Sequence, residues 1–251
     1  MRLVKYNMAK RLILGLLYLG WGWWLAIPND KLKVVFCNVG QGDAALVSKG
    51  YFQMLLDTGS AKGGVEKCLG QEMPLGDKKI EVVIISHDDS DHSGALVNLR
   101  KSYRLERVYG QDSYSNNLYY NDSLEYGGIV FKVLYPDRGL LDRDNDSIAG
   151  LLKYRGMSFL FTGDNDLVVE ESILNRIVGE RGVDVLKVSH HGSKSANGEK
   201  WLAAVAPKWA VVSVGKNNYG HPDAGVLANL EKQGIIVKRT DKSGNIVFEE
   251  K

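Results

Sequence analysis

All five histidines of this 251-residue chain fall in three short polar clusters: Ser86-His87-Asp88-Asp89-Ser90-Asp91-His92, Ser189-His190-His191-Gly192-Ser193 and Tyr219-Gly220-His221-Pro222. Two of these clusters directly follow runs of β-branched residues that read as buried strands. Imidazoles and carboxylates gathered at strand ends are what a metal site needs, because a rigid element holds each ligand while its tip reaches a shared cavity. His87, Asp89, Asp91 and His92 share one turn, Asp164 closes a Thr-Gly-Asp turn after a second strand, and His190 follows a third. Together they are enough ligands for two divalent ions, with one carboxylate left to bridge them. Such a pair lowers the pKa of a water and braces the attacking and leaving oxygens, which is hydrolytic chemistry. Each residue also has a simpler use: Asp89 and Asp91 as helix caps, Asp164 as the cap of a following helix, His221 as part of a Gly-His-Pro turn. Their recurrence at successive strand ends outweighs those uses.

The elements that must hold them are legible as short apolar runs. Strands are expected at 34–36, 44–47, 54–56 and 82–85, then at 129–134, 148–154, 157–161, 183–188, 209–214, 235–238 and 246–248. The continuous run Val82-Val83-Ile84-Ile85 fits a strand covered on both faces. Helices are expected at 94–99, 166–177, 201–205 and 224–230, the second amphipathic with acids early. The polar stretch 103–146, rich in Tyr, Asn and Asp, reads as an irregular insertion. Strands first, then a second half mixed with helices, predict an α+β chain with two sheets sandwiched between helices.

The net charge of +2 conceals an asymmetry. Arg2, Lys5, Lys10 and Arg11 precede any acid, leaving 28 basic against 30 acidic residues in the body. Bulk charge therefore supplies no argument for polyanion binding, and such a substrate would need a local patch or metal. Leu12 to Ile27 is uncharged, follows the basic stretch and carries Trp21, Trp23 and Trp24. Residues 1–29 are expected to be a membrane anchor, or failing that a cleaved signal, with the hydrolase domain 30–251 outside the cytoplasm. Cys37, in a strand-like run, reads as a small buried hydrophobe, and no bridge to Cys68 is expected.

Six segments in order carry a resemblance: Val39-Gly40-Gln41-Gly42-Asp43-Ala44, Leu56-Asp57-Thr58-Gly59, the His87 to Gly94 motif, Thr162-Gly163-Asp164, His190-His191-Gly192-Ser193 and Tyr219-Gly220-His221-Pro222. The chain resembles the metallo-β-lactamase fold superfamily and, within it, the extracytoplasmic domain of ComEC-type DNA-uptake competence proteins. The resemblance implies a four-layer αββα sandwich after one N-terminal hydrophobic helix. It implies that His87 and Asp89 hold one metal, that Asp91, His92 and His190 hold the other, and that Asp164 bridges them. Asp57 would orient a liganding histidine, and Asn145 or Asp146 would supply a further ligand of the first site. Asp89 stands where the superfamily commonly has histidine, an oxygen donor that shifts the choice from Zn²⁺ towards Mn²⁺. The chain departs from the family at Asn38, where Asp is usual, and at Ala95, where Gly is common.

Asp91, Asp164 and His221 are thus the expected catalytic residues, and His191, Ser193, Lys194 and His221 the expected substrate contacts. Lys216 could extend an anion patch, and Tyr114, Tyr119 and Tyr120 could stack on bases. The expected function is a membrane-anchored hydrolase of phosphodiesters, a DNA nuclease serving DNA uptake beside a separate membrane channel protein. The rivals are a phosphodiesterase for a small or cell-wall ester such as phosphocholine, and a non-catalytic DNA-binding module that uses metal only for stability.

Overall fold

The computed structural model describes Leu14 and residues 28–111, 114–139, 147–177 and 182–250. Apart from Leu14, Pro28 and Asn29 the expected anchor lies outside the described residues, among which no helix is long and apolar enough to cross a membrane. Two seven-stranded sheets face one another. In chain order the first holds β1 (Leu32–Phe36), β2 (Ala45–Lys49), β3 (Phe52–Leu56), β4 (Lys79–Ile84), β5 (Arg104–Gly110), β6 (Asn116–Asn117) and, from the end of the chain, β14 (Ile246–Glu249). The second holds β7 (Ser123–Tyr126), β8 (Ile129–Tyr135), β9 (Ala149–Tyr154), β10 (Met157–Phe161), β11 (Val185–Lys187), β12 (Trp209–Val212) and β13 (Ile236–Arg239). Pairing is antiparallel from β14 through β1 to β3 and parallel from β3 to β6. The second sheet repeats this plan, antiparallel from β7 to β10 and parallel from β10 to β13.

Alternation along each strand divides the apolar side chains among three layers. Phe36 joins the core between the sheets while Val35 faces the outer layer, and Phe159 and Phe161 point inward while Leu160 points out. Helices α1 (Val65–Glu72) and α2 (Leu96–Ser102) cover the first sheet through Leu69 and Leu99. Helices α3 (Leu167–Ile177), α4 (Glu199–Val205) and α5 (Ala224–Lys232) cover the second through Ile173, Trp201 and Leu230, and a short α6 (Thr240–Ser243) precedes β14. The central strands of both sheets are buried on both faces, which is why runs such as Val83-Ile84-Ile85 are continuously apolar. The four-layer sandwich is the expected one.

Two expectations need correction. The described residues of 103–146 hold β5 to β8, of which only β8 was expected, and β5 escaped notice because its Arg-Leu-Glu-Arg start lies largely exposed near the sheet edge. Cys37 and Cys68 form a disulfide, with Cα atoms 5.8 Å apart. Helix α1 was not foreseen, because only Val65, Cys68 and Leu69 of its eight residues are buried; without it nothing carried Cys68 to the end of β1. The bridge closes a separation of 31 residues, for which chain entropy predicts about 3–4 kcal/mol. Cys37→Ala/Cys68→Ala is expected to lose stability of that order in urea unfolding, and reductant should have no further effect on it.

Candidate metal centre

The site lies where the parallel strands of both sheets end, the side on which α/β sheets bind ligands. From the first sheet, β3 leads to Asp57, and β4 leads through Ile85 and Ser86 to His87. The turn then winds tightly, with His92 and Ser93 N–H groups both donating to Asp89 O at 2.9 Å, which brings the His92 ring to 4.1 Å from that of His87. From the second sheet, β10 leads to Asp164 and β11 to a 3₁₀ turn, Ser189–Gly192, in which His190 and His191 both have left-handed φ of 48° and 52°. Asp43 enters just before β2. Its neighbour Gly42 explains part of the Val39 to Ala44 motif: a Cβ there would stand 2.2 Å from Asp91 O, so only glycine lets these segments touch.

Three imidazoles are locked from behind. His92 Nδ1 lies 2.9 Å from Asp57 Oδ2, His191 Nδ1 lies 2.9 Å from Ser213 O, and His87 Nδ1 lies 3.1 Å from both Ser86 Oγ and Ser147 Oγ. Asp57 is itself fixed, accepting from Ser86 N at 2.7 Å and Ser86 Oγ at 2.8 Å. With each Nδ1 engaged, each Nε2 faces a shared space, the arrangement that orients metal-binding histidines. Nε2 of His87, His92 and His191, with Oδ1 of Asp43 and Asp164, are buried and have no hydrogen-bond partner. Five orphaned atoms in one place would each cost desolvation energy unless a cation joins them.

Candidate ligand atoms lie within 4.8 Å of one another in the groups His87, His92, Asp164; Asp91, His92, His191; Asp43, Asp57, His92; and Asp43, Asp164, His191. The donor set of imidazole and carboxylate suits Zn²⁺, Mn²⁺ or Fe²⁺. The local field agrees. Burial would pull His92 down, but Asp164 and Asp57 outweigh it and hold the ring well above its usual range. Burial would raise Asp164, but His191, His92 and Lys187 hold it well below the carboxylate range, and the His191 ring 3.3 Å away brings Asp91 down to about 2.

No protein-family model matches the chain. By fold it is similar to YhfI of Bacillus subtilis (17% identity, TM-score 0.58, 88% of this chain and 100% of that one). It is also similar to the diiron β-hydroxylase CmlA of Streptomyces venezuelae (12%, 0.61, 89% and 55%) and the short form of human tRNase Z (13%, 0.58, 86% and 98%). YhfI is described as a metallo-β-lactamase fold protein. The chain has the metallo-β-lactamase fold. By sequence, this metallo-β-lactamase fold protein resembles ComEC-type competence proteins. It is 30% identical over 258 residues to ComE operon protein 3 of Bacillus subtilis (88% of this chain, 33% of that one), and 30% identical over 227 residues to competence protein ComA of Neisseria gonorrhoeae (89% and 33%). It therefore spans about a third of the length of these relatives.

Against the sequence-based assignment, the metallo-β-lactamase fold here gathers His191 rather than His190. His191 is 2% exposed, with Nε2 3.3 Å from Asp91 and 3.4 Å from Asp164, whereas the His190 side chain is 34% exposed and 3.7 Å from Asp164. Proximity to the strand was the wrong criterion, because two left-handed residues in succession turn the second ring back inward. Asp89 lies at the rim, 60% exposed, 3.4 Å from His87 Nε2. Asn145 and Asp146 lie outside the described residues; Ser147, next in sequence, is fully buried and its Oγ also accepts from Asp164 N. Ser193 is turned away, its Oγ bonded to Ser195, while Lys194 and Lys216 are exposed. Tyr114 donates to Asp88 at 2.8 Å, Arg138 lies over the Tyr119 ring and Arg176 over that of Tyr120, so the three tyrosines pack the insertion down.

Sequence reasoning missed Asp43 and Lys187. Lys187 is 3% exposed at the end of β11, paired with Asp43 and 3.8 Å from Asp164 Oδ1. A lysine inside the apolar run Val183 to Val188 was the available signal.

Beneath the His190-His191 turn, buried Glu170 accepts from Ser189 Oγ (2.9 Å), Asn197 N (2.7 Å) and Gly198 N (3.2 Å), and Asn197 Oδ1 in turn accepts from Ser189 N. Burial pushes its carboxyl up to about 7. An acid raised in the folded state stabilises fully below its unfolded value and loses that contribution as pH rises through about 7. Metal-free protein should therefore lose about 2–3 kcal/mol between pH 4.5 and 7.5 from this group. Urea unfolding of Glu170→Gln should show a pH dependence shallower by that amount; an unaltered slope would refute the assignment.

Proposed function

We propose that the chain is a metal-dependent phosphodiesterase acting outside the cytoplasm as a DNA nuclease in DNA uptake. The observation that supports this most is the convergence of three orphaned Nε2 atoms and two orphaned carboxylate oxygens at the strand ends. A purely structural metal would need no open rim, yet Asp89, Asp91 and His190 leave one side of the cluster accessible. His87, His92, His191, Asp91 and Asp164 would hold two divalent ions, with Asp89 at the rim and Asp43 behind. When bound, the ions supply a water of lowered pKa and neutralise charge growing on the phosphoryl oxygens. Asp57, Ser213, Ser86 and Ser147 would keep the imidazoles in the ligating tautomer, and Asp164, held ionised by its neighbours, would be the carboxylate shared between the two ions.

His221 is half-buried beside His190, ring centroids 5.5 Å apart. Burial and then His190 and His191 lower its pKa, so at neutral pH it would contact substrate as a neutral hydrogen-bonding group rather than as a fixed cation. The competence relatives support a DNA-related role, and a separate membrane channel protein is part of the proposal. The basic N-terminus with its apolar segment supports membrane attachment, and the Cys37 to Cys68 disulfide supports an oxidising compartment.

The test is hydrolysis by the full chain in detergent, loaded with Mn²⁺ or Zn²⁺, of single-stranded DNA, bis(p-nitrophenyl) phosphate and p-nitrophenylphosphorylcholine. Cleavage of DNA and of the chromogenic diester is expected, with Mn²⁺ at least as effective as Zn²⁺. Turnover of the choline ester alone would replace DNA by a small ester as substrate. Survival of all three with metal demonstrably bound would sink the hydrolase reading.

A further inference from the structure

A row of rings leads outward from the metal centre. His190 stands next to Asp164, its ring meets His221 edge-on at 5.5 Å, and His221 is stacked on Tyr219 at 5.8 Å with the planes 24° apart. Tyr219 ends the row and is 76% exposed. The loop carrying it is built to hold that ring still. Asn217 Nδ2 donates to Gly215 O and His221 O, both at 2.9 Å, while its Oδ1 accepts from the Tyr219 and His221 N–H groups at 3.1 Å. The loop is also pinned to the histidine turn: Asp223 N donates to Gly192 O at 2.9 Å, and a Cβ on Gly192 would stand 2.6 Å from Pro222 Cβ. Among the described residues Tyr219 is the most exposed large aromatic side chain, on a backbone registered to the reaction centre.

We propose that Tyr219 is a stacking platform for an unpaired nucleobase of the strand whose phosphodiester lies at the Asp164 cluster, which would make it a specificity-determining residue. This rests on the phosphodiester reading of the centre. The two ring-to-ring steps of 5.5 and 5.8 Å correspond to about three nucleotides of a stacked strand at roughly 3.4 Å each. Base stacking on one exposed ring tolerates any sequence and needs the base out of its duplex, so the platform selects single strands. A choline headgroup would be better served by several rings enclosing the cation, and among the described residues Tyr219 has only His221 as a ring neighbour.

The full chain in detergent, without added metal, is titrated into fluorescein-labelled (dT)₁₂ and into an abasic oligomer with the same number of phosphates, following anisotropy. Wild-type protein should prefer (dT)₁₂ by about tenfold. Tyr219→Phe should retain the preference, and Tyr219→Ala should abolish it. Because the readout is a ratio within one protein sample, a loss of folded fraction cannot mimic it. An unchanged preference in Tyr219→Ala overturns the proposal. Cleavage of both oligomers in Mn²⁺ without any base preference also overturns it, while leaving the nuclease reading intact; base preference without cleavage upholds the platform and removes the nuclease. If Tyr219→Ala instead impairs only p-nitrophenylphosphorylcholine, the ring serves choline and the proposal falls.

Discussion

Asp164→Asn is expected to remove hydrolysis to background and to reduce bound metal from two equivalents to one or none. The carboxylate is the hub of the centre: one oxygen faces His92 Nε2 at 3.3 Å and the other His191 Nε2 at 3.4 Å. Asparagine keeps the volume and one acceptor oxygen but removes the charge, and its NH₂ would point a donor at a position that needs a lone pair. In the proposed two-ion centre, loss of this charge would withdraw several kcal/mol of transition-state stabilisation, so a rate loss of roughly 10³-fold or more is expected. Metal content by mass spectrometry after desalting, measured beside hydrolysis of bis(p-nitrophenyl) phosphate, is the check. Two equivalents retained with full turnover would show that Asp164 only stiffens its turn, the role a Gly-Asp turn ordinarily has.

Lys187→Met should destabilise the metal-free protein by about 3–5 kcal/mol, the usual result of deleting one partner of a buried ion pair. The ammonium group is buried, yet Asp43 and Asp164 outweigh the burial and keep it charged. Methionine fills the same channel but leaves Asp43, 6% exposed, without its counter-ion among other carboxylates. Adding Asp43→Asn removes the stranded charge, so the double variant should recover much of the loss, and the cycle isolates the coupling. Urea unfolding in chelator provides the measurement; a loss below about 1 kcal/mol in the single variant would mean that Lys187 is interchangeable with an apolar residue.

How much of this was legible in the chain differs between residues. His87, Asp91, His92 and Asp164 were identifiable because residue type and strand-end position are both local properties. Each sits within a few residues of an apolar run that could only be a buried strand. The three-layer division of the core was equally legible, since doubly covered strands must be apolar throughout. Asp43 and Lys187 were visible as residues, but their pairing joins the entrance to β2 with the end of β11, in different sheets. Helix α1 hid because its apolar face is three residues wide, and with it hid the partner of Cys37. The order of His190 and His191 misled because adjacent identical residues carry no pattern that tells them apart.

The sequence by itself determined two sheets between helices whose strands end in imidazoles and carboxylates, a chemistry set by residue type and by periodicity along single strands, while the four-layer αββα order came from the family resemblance. Only the tertiary structure decided which histidine turns inward, which lysine neutralises the interior, and which exposed ring is aligned with the centre. Those outcomes depend on φ angles in two-residue turns and on how two sheets are brought face to face, and neither leaves a periodic trace in the order of amino acids.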